Sequence, residues 1–555
     1  MKFRLNSLGF TFVVALYFTV FQNLALWQHL IELFGHQHTL NWGFIRTIPV
    51  FILMLMNVVF TLFVWPRFYK FIIPFFVFAS TGVTFGMYQY GVVFDYGMMV
   101  NMVETDTHEA TSYLSMALVL WFFFLAVVPL LLMTRIEVVF NPSKRRLLAG
   151  KGVSILVSLL VVVGIASLYY KDYASLLRNN SEIKSMINPT NYVSAGYRVM
   201  KNRLYEANLP FTRIGTDAID TNAAPLAAGK SKPNVLVLVV GETARAQDYA
   251  LDGYPRNTNP YLSAEKVLSF QNVSSCGTAT AVSVPCMFSN MTRDNYSASK
   301  ARRQEGLLDV LTHAGINVVW LDNNSGSKGA SDRVTTISTQ GGKDKTLCPD
   351  GMCYDEVLIG ELKQQLAQAK GDTVIVLHLM GSHGPTYYQR YPKAFEVFKP
   401  VCATSEIQNC SSESLVNTYD NTLLYTDYVL SQVVDVLKQQ NDDNTSMLYM
   451  SDHGESLGEN GIYLHGMPYA IAPVQQTHIP MISWFSPAFE QHQQLNMDCM
   501  AQLAQNGELS HDNLFHSVLG MMDVSTVEYN QQLDMLAQCR QPSTELNTQQ
   551  TTLVR

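Results

Sequence analysis

Apolar runs divide this chain into two regimes. After Met1–Arg4 no charge appears until Glu32, and four more uncharged hydrophobic stretches follow: Ile48–Trp65, Phe71–Phe94, Met116–Met133 and Val153–Tyr170. Each is long enough to cross the hydrocarbon core as a helix. Beyond Pro233 the runs shorten to strand length and alternate with helical patterns. The strands predicted are Val235–Val240, Asn317–Leu321, Thr373–Leu379, Ser446–Met450 and Pro480–Phe485. The helices predicted between and after them are Arg302–His313, Asp355–Ala369, Ser412–Gln440 and Asp512–Met521. Such alternation implies an α/β domain, a sheet covered by helices on both faces. Between the regimes, Tyr173–Leu204 reads as surface-lying helices broken at Asn188-Pro189, and Thr216–Lys232 as a small, polar linker. The expected division is 1–170, a transmembrane domain of five helices; 171–232, bridging helices and linker; and 233–555, a soluble domain.

Charge gives this division an orientation. Residues 1–170 hold 10 Lys/Arg against 6 Asp/Glu and the remainder 28 against 39, net charges of +4 and −11. Lys2, Arg4, Arg67, Lys70, Arg135, Lys144, Arg145, Arg146 and Lys151 fall at the amino end and in alternate loops, with Arg46 the one exception. The positive-inside rule then puts the amino terminus in the cytoplasm, and five crossings deliver everything after Lys171 to the outside. The long first run, with no small-residue cleavage site before the next span, argues against a cleaved signal peptide. An acidic soluble portion excludes nucleic acid as the expected partner. All eight cysteines lie between Cys276 and Cys539, in the close pairs Cys276/Cys286, Cys348/Cys353 and Cys402/Cys410, leaving Cys499 and Cys539 for each other. No C-x-x-C pair supports a zinc-thiolate site, so disulfides in an oxidising compartment are expected.

Candidate chemistry sits where strands end. KPNVLVLVVGETARAQ, residues 232–247, is a buried parallel strand that stops at Gly241-Glu242-Thr243. The carboxyl edge of an open α/β sheet is where ligands gather; a helix-cap partner or surface ion pair is the plain alternative for Glu242. SMLYMSDHGESLGENGIYLHG, residues 446–466, ends a second strand in Asp452-His453 and leads by glycine-containing turns to His465. With Glu242 this makes the mixed oxygen and nitrogen set that suits zinc, against the alternative of a capped turn. In CGTATAVSVPCMFS, residues 276–289, Thr278, Thr280 and Ser283 crowd the start of a helix, where unpaired amides favour phosphate. A metal-bound hydroxyl there becomes a nucleophile; otherwise Thr280 is a helix cap. DNNSGSKG places Ser325 and Lys328 on a turn, and LHLMGSHGP places His383 in a glycine-flanked loop. Asn101, Thr105 and Glu109 recur at i, i+4 and i+8, one face of a helix just outside the membrane. That strip is either a solvated surface or a seat for a lipid head group, with Glu109 facing an ammonium. His511-Asp512-Asn513 and His516 read as cap and packing residues.

Taken together, GETAR at 241–245, GYPRNTNP at 253–260, CGTATAVSVPCMFS, SHGP at 382–385 and SDHGESLGENGIYLHG resemble the phosphoethanolamine–lipid A transferases. These are inner-membrane enzymes of the alkaline-phosphatase and sulfatase superfamily, some of which confer polymyxin resistance. The resemblance runs the whole length of the chain. It implies zinc held by Glu242, Thr280, Asp452 and His453, with Thr280 as nucleophile, and one tightly bound ion with room for a second. It also implies that Asn101, Thr105, Glu109, Ser325, Lys328, His383 and His465 serve substrate binding or proton transfer.

The expected reaction has two steps. Thr280 attacks the phosphorus of phosphatidylethanolamine and releases diacylglycerol; a phosphate of lipid A, within lipopolysaccharide, then takes the phosphoethanolamine. His383 or His465 moves the proton, as a group titrating near ambient pH could. A monomer in the Gram-negative inner membrane, with its catalytic domain in the periplasm and its affinity for membrane lipids, is expected. The alternatives are transfer to water, as in a phosphodiesterase or sulfatase, transfer to another surface glycan, or a membrane sensor whose metal is structural.

Overall fold

The computed structural model describes the chain except residues 1–2, 36–40, 106–109, 112, 181, 343, 441–442 and 542–555. Two compact units emerge, one of Met1–Met99 with Tyr113–Met200 and one of Val100–Ser112 with Lys201–Arg555.

The first unit carries the apolar spans as helices. Trp42–Phe63, Tyr69–Tyr90, Met116–Met133 and Lys144–Leu168 are each long and apolar enough to cross a membrane. A fifth span is broken: Ser7–Phe21 and Leu24–Gly35 meet at 51°. The break falls at Gln22-Asn23, both buried, and side-chain amides satisfy the backbone groups it frees. Gln22 Nε2 donates to Thr81 Oγ1 at 3.1 Å and to the Leu125 carbonyl at 3.1 Å. Asn188 donates from its side chain to the Gln22 carbonyl at 2.9 Å and to Thr84 Oγ1 at 2.7 Å, while Asn23 bonds the Asn188 backbone. In a low-dielectric setting a kink needs such internal partners. After it, Tyr170–Asn179, Ile183–Met186 and Thr190–Ala207 are the helices expected on either side of Asn188-Pro189.

The second unit is built on a seven-stranded sheet. Its strands in chain order are β1 (Asn234–Gly241), β2 (Leu268–Phe270), β3 (Asn317–Asp322), β4 (Thr335–Ser338), β5 (Thr373–His378), β6 (Asn444–Ser451) and β7 (Met481–Phe485). The spatial order is β2-β7-β6-β1-β5-β3-β4. Five neighbours from β6 to β4 run parallel, and β7 is antiparallel to both β6 and β2. Leu236, Leu238 and Val240 pack on one face with Val284, Met287, Leu311, Phe515 and Val518. The alternate valines turn to the other face, where Val357–Gln368 lies on β3 and β5 and Ser412–Lys438 on β6. Burial on both faces is why β1 is an unbroken apolar run.

Register aligns the carboxyl ends. Gly241 pairs with Ser451, Val240 with His378 and His378 with Asp322, so the residues that follow β1, β3, β5 and β6 emerge along one edge. Two details depart from the sequence reading. The helix expected from Arg302 begins at Leu307, because Asp309 caps the Gly306 amide at 2.8 Å while Gln304 bridges to Thr212 instead. Residues 216–232, linker-like in composition, hold ordered contacts: Ile219–Asp220 pairs with Val524–Ser525, and Asn222 donates to Asp372 at 3.1 Å.

The four disulfides Cys276–Cys286, Cys348–Cys353, Cys402–Cys410 and Cys499–Cys539 are formed as the pairing predicts. The last closes a loop of 40 residues, for which chain entropy gives about 4 kcal/mol of stabilisation. Replacing Cys499 and Cys539 together by Ala is expected to lower the thermal midpoint of the full-length protein by several degrees. An unchanged midpoint would remove that bond from the account of stability.

Candidate functional site

Glu242 follows β1, Asp452 and His453 follow β6, and Thr280 opens the helix Thr280–Met287. All four side chains are buried and meet at one point. Thr280 Oγ1 lies 3.3 and 3.2 Å from the two Glu242 carboxylate oxygens and 3.3 Å from His453 Nε2. His453 Nε2 lies 3.3 Å from Asp452 Oδ2, and ligand atoms of Glu242, Asp452 and His453 all fall within 4.8 Å of one another. Placing a carboxylate on each of two adjacent parallel strands is what brings these groups together.

The backbone around them is built for that approach. Gly241 leaves room for Tyr449, whose ring would lie 2.6 Å from any added Cβ. Gly381, at a φ of +51°, lets the loop after β5 pass close to the Glu242 backbone, 2.7 Å from where its Cβ would be. Thr243 is a β-branched residue held at a φ of +51°, a conformation sustained only where the surroundings over-determine it. Its carbonyl accepts from Tyr419 Oη at 2.6 Å, and its amide donates to Asp452 Oδ1 at 3.2 Å.

The electrostatics call for a cation. Two carboxylates are buried side by side, and burial pushes the Asp452 carboxyl up to about 6. Asp452 Oδ1 is occupied by the Thr243 and His453 amides, whereas Oδ2 has no hydrogen-bond partner among the described residues. His453 Nδ1 lies 2.9 Å from the Gly454 carbonyl, so that nitrogen carries the proton and Nε2 turns its lone pair toward the carboxylates. Burial, then the neighbouring His465, holds His453 well below the ordinary histidine range and hence neutral. An unpartnered carboxylate oxygen, a second carboxylate, an imidazole lone pair and a hydroxyl are a donor set that fits zinc.

Two more predicted histidines stand beside this set. The His465 ring is 4.4 Å from that of His453 and 5.9 Å from that of His383. Glu455, fully buried, orients His465 through Nδ1 at 3.3 Å. His383 departs from the sequence expectation of a group poised near ambient pH. Burial pushes it well below 6.5, and the charges of Arg390 and His465 push the same way. It is a neutral proton acceptor.

The remaining predicted residues lie around the loop after β3. Lys328, itself at a φ of +52°, donates to Ser325 Oγ at 2.9 Å and to the Glu104 carbonyl at 3.4 Å. Thr105 bonds back to the Asn101 carbonyl at 2.8 Å, so those two share the turn that meets Lys328. Glu109 lies outside the described residues. One residue the sequence reading left without a role is Asn324. It donates to Glu242 Oε2 at 2.8 Å and to the Leu379 carbonyl at 2.8 Å, tying the loops after β1, β3 and β5 together. Its place in DNNSGSKG, directly after a strand on the same edge, was the available signal.

A mixed sheet of this kind with a buried metal-type cluster at its carboxyl edge, in a chain that also carries long apolar helices, defines a membrane-anchored protein of the alkaline phosphatase/sulfatase class. The Sulfatase family matches residues 233–524, and the family described as phosphoethanolamine transferase EptA/EptB matches 52–204. Phosphoethanolamine transferase EptA of Escherichia coli (strain K12) is 42% identical, covering 97% of this chain and 98% of its own. Phosphatidylethanolamine transferase Mcr-1 of Escherichia coli is 34% identical over 92% of this chain and 94% of its own. The solved integral membrane lipooligosaccharide phosphoethanolamine transferase A from Neisseria meningitidis superposes with a TM-score of 0.93 at 39% identity, covering 96% and 98% of the two chains. The chain belongs to the EptA family of phosphoethanolamine transferases. It is an inner-membrane protein with a periplasmic carboxyl-terminal domain.

Proposed function

We propose that this enzyme transfers phosphoethanolamine from phosphatidylethanolamine to phosphate groups of lipid A through a covalent intermediate on Thr280, and that it needs zinc to do so. Residues 1–170 would hold it in the membrane, 171–232 bridge, and 233–555 carry the chemistry. The observation that carries this reading is the Thr280 hydroxyl within 3.3 Å of both Glu242 oxygens and His453 Nε2 in a buried cluster. A hydroxyl serving only as a helix cap would bond its own helix's amides; this one turns to Glu242 and His453 instead.

Glu242, Asp452, His453 and Thr280 would hold the ion. Zinc bound there supplies Lewis acidity, easing loss of the Thr280 proton and offsetting charge on the phosphoryl oxygens. In the first half-reaction Thr280 Oγ forms a bond to phosphorus as the bond from phosphorus to the diacylglycerol oxygen breaks. A neutral histidine, His383 or His465, accepts a proton and returns it to the departing oxygen. Lys328, braced by Ser325, offers its ammonium to a phosphoryl oxygen, and Asn101, Thr105 and Glu109 receive the ethanolamine end. In the second half-reaction an acceptor phosphate oxygen forms a bond to the same phosphorus as the bond to Thr280 Oγ breaks, and the acceptor's own proton passes by way of the histidine to Thr280 Oγ.

Relatives named for phosphoethanolamine transfer over nearly the whole chain favour transfer to an acceptor over release to water. Masking lipid A phosphates would lower its affinity for cationic peptides such as polymyxin. Mass analysis of lipid A from cells with and without the protein is expected to show phosphoethanolamine only when it is present. Identical lipid A profiles from cells expressing active protein would turn the reading toward another surface glycan.

A further inference from the structure

A groove of about 710 Å³ lies in the first unit, where the helix Trp42–Phe63 ends and the helices Tyr69–Tyr90 and Lys144–Leu168 begin. Lys144–Leu168 leads out to the periplasmic domain, so its start, and the groove with it, is on the cytoplasmic side of the membrane. The transfer chemistry makes no use of it. Its walls include Phe63, Trp65, Phe68, Ile72, Leu147 and Leu148, with Lys144 as the charged residue of the lining. Lys144, Leu147, Leu148 and Lys151 follow one another at i, i+3, i+4 and i+7, one face of a helix. A lysine therefore stands at each end of the leucine wall, the two about 10 Å apart along the axis.

The wall is fixed and its charge is one-sided. Asn57 donates to Ser154 at 3.1 Å and to Ser158 at 2.9 Å, which ties Trp42–Phe63 to Lys144–Leu168. Lys151, buried, donates to the Thr61 carbonyl at 2.6 Å, and its ammonium lies 3.9 Å from the centre of the Trp65 ring. Between Pro66 and Phe68, which line the groove, Arg67 holds a φ of +70°, a backbone conformation that a residue with a side chain adopts only at a cost. Arg67, Lys70 and Lys144 are exposed, and no carboxylate pairs with these three or with Lys151 among the described residues. The loops 64–68 and 134–143 contain one acid, Glu137, and Arg4 holds it through bonds of 2.9 and 3.2 Å. An apolar trough with cations along its rim and a buried ammonium behind it suits an acyl chain that ends in a negative group. A zwitterionic head group brings an ammonium of its own, for which Glu137, already paired, is the one acid in these loops.

We propose that this groove holds a net-anionic phospholipid of the cytoplasmic leaflet, with an acyl chain against Trp65, Phe68 and Leu148 and its phosphate against Lys144 and Arg67. The site is separate from the transfer reaction, and its test does not read turnover. Full-length protein in detergent is supplied with equal amounts of phosphatidylglycerol and phosphatidylcholine, and the lipid it retains is identified by native mass spectrometry. Preferential retention of phosphatidylglycerol is expected. Lys144→Gln and Arg67→Gln should each weaken it about fivefold, the effect of one basic side chain near an anionic surface. Leu148→Trp, which fills the groove and removes no charge, should weaken it comparably. Arg146→Gln takes a charge from the same turn, but two positions from both Lys144 and Leu148 it faces another side of the helix, and retention should not change. A thermal midpoint near that of the parent shows each variant is folded; should Leu148→Trp unfold, the contrast between Lys144→Gln and Arg146→Gln carries the test. Equal retention of the two lipids, equal losses in Arg146→Gln and Lys144→Gln, or full retention by folded Leu148→Trp would overturn the site and leave an ordinary basic membrane edge.

Discussion

Thr280→Ala is expected to abolish transfer, by several orders of magnitude, in full-length enzyme supplied with phosphatidylethanolamine and lipid A. The reason is geometric. Thr280 Oγ1 lies within 3.3 Å of both Glu242 carboxylate oxygens and of His453 Nε2, which sets a hydroxyl at the centre of the cluster. Loss of a helix cap would cost about 1 kcal/mol and leave turnover largely intact; loss of a nucleophile removes the pathway. Thr280→Ser keeps the hydroxyl and should retain measurable activity, although the missing methyl loosens its orientation. Rates for the Ala variant within tenfold of the parent would show that water or the acceptor attacks the donor lipid directly.

Metal removal should have the second-largest effect. Chelation of the full-length enzyme is expected to reduce transfer to background, with zinc restoring it. The buried carboxylates Glu242 and Asp452 then lose the charge that compensates them, so the thermal midpoint should fall as well. A ligand present at 1,000 times its dissociation constant contributes about 4 kcal/mol to folded-state stability. Metal analysis before and after treatment identifies the ion. Full turnover by protein from which zinc has been measurably stripped would reduce the cluster to a structural network.

Most of what positions this site was legible in the chain. The run Val235–Val240 could only be a strand buried on both faces, and the parallel register that follows puts Glu242 beside Asp452. The five apolar spans were equally plain, because length and charge asymmetry are properties of composition. Short elements were not. Leu268–Phe270 and Thr335–Ser338 are edge strands of three and four residues, too brief to show a period. The bend at Gln22-Asn23 was hidden for a different reason. Its cause is Asn188, 165 positions away from Asn23, and no local pattern reports a partner so distant. Asn324 stood in a telling place, directly after a strand on the same edge, but its bond to Glu242, 82 positions away, was hidden on the same ground. His383 shows the limit for electrostatics. Its type and loop were readable, but the burial that keeps it neutral belongs to the folded state alone.

The covalent step on Thr280 is the claim from which the rest follows, and it can be observed directly. Purified full-length enzyme, incubated with phosphatidylethanolamine and no acceptor, is digested and the peptide spanning the helix Thr280–Met287 is analysed by mass spectrometry. The account predicts phosphoethanolamine on Thr280, its absence in Thr280→Ala, and its disappearance when lipid A is added. An unmodified Thr280 in enzyme that is still turning over the donor lipid would contradict it.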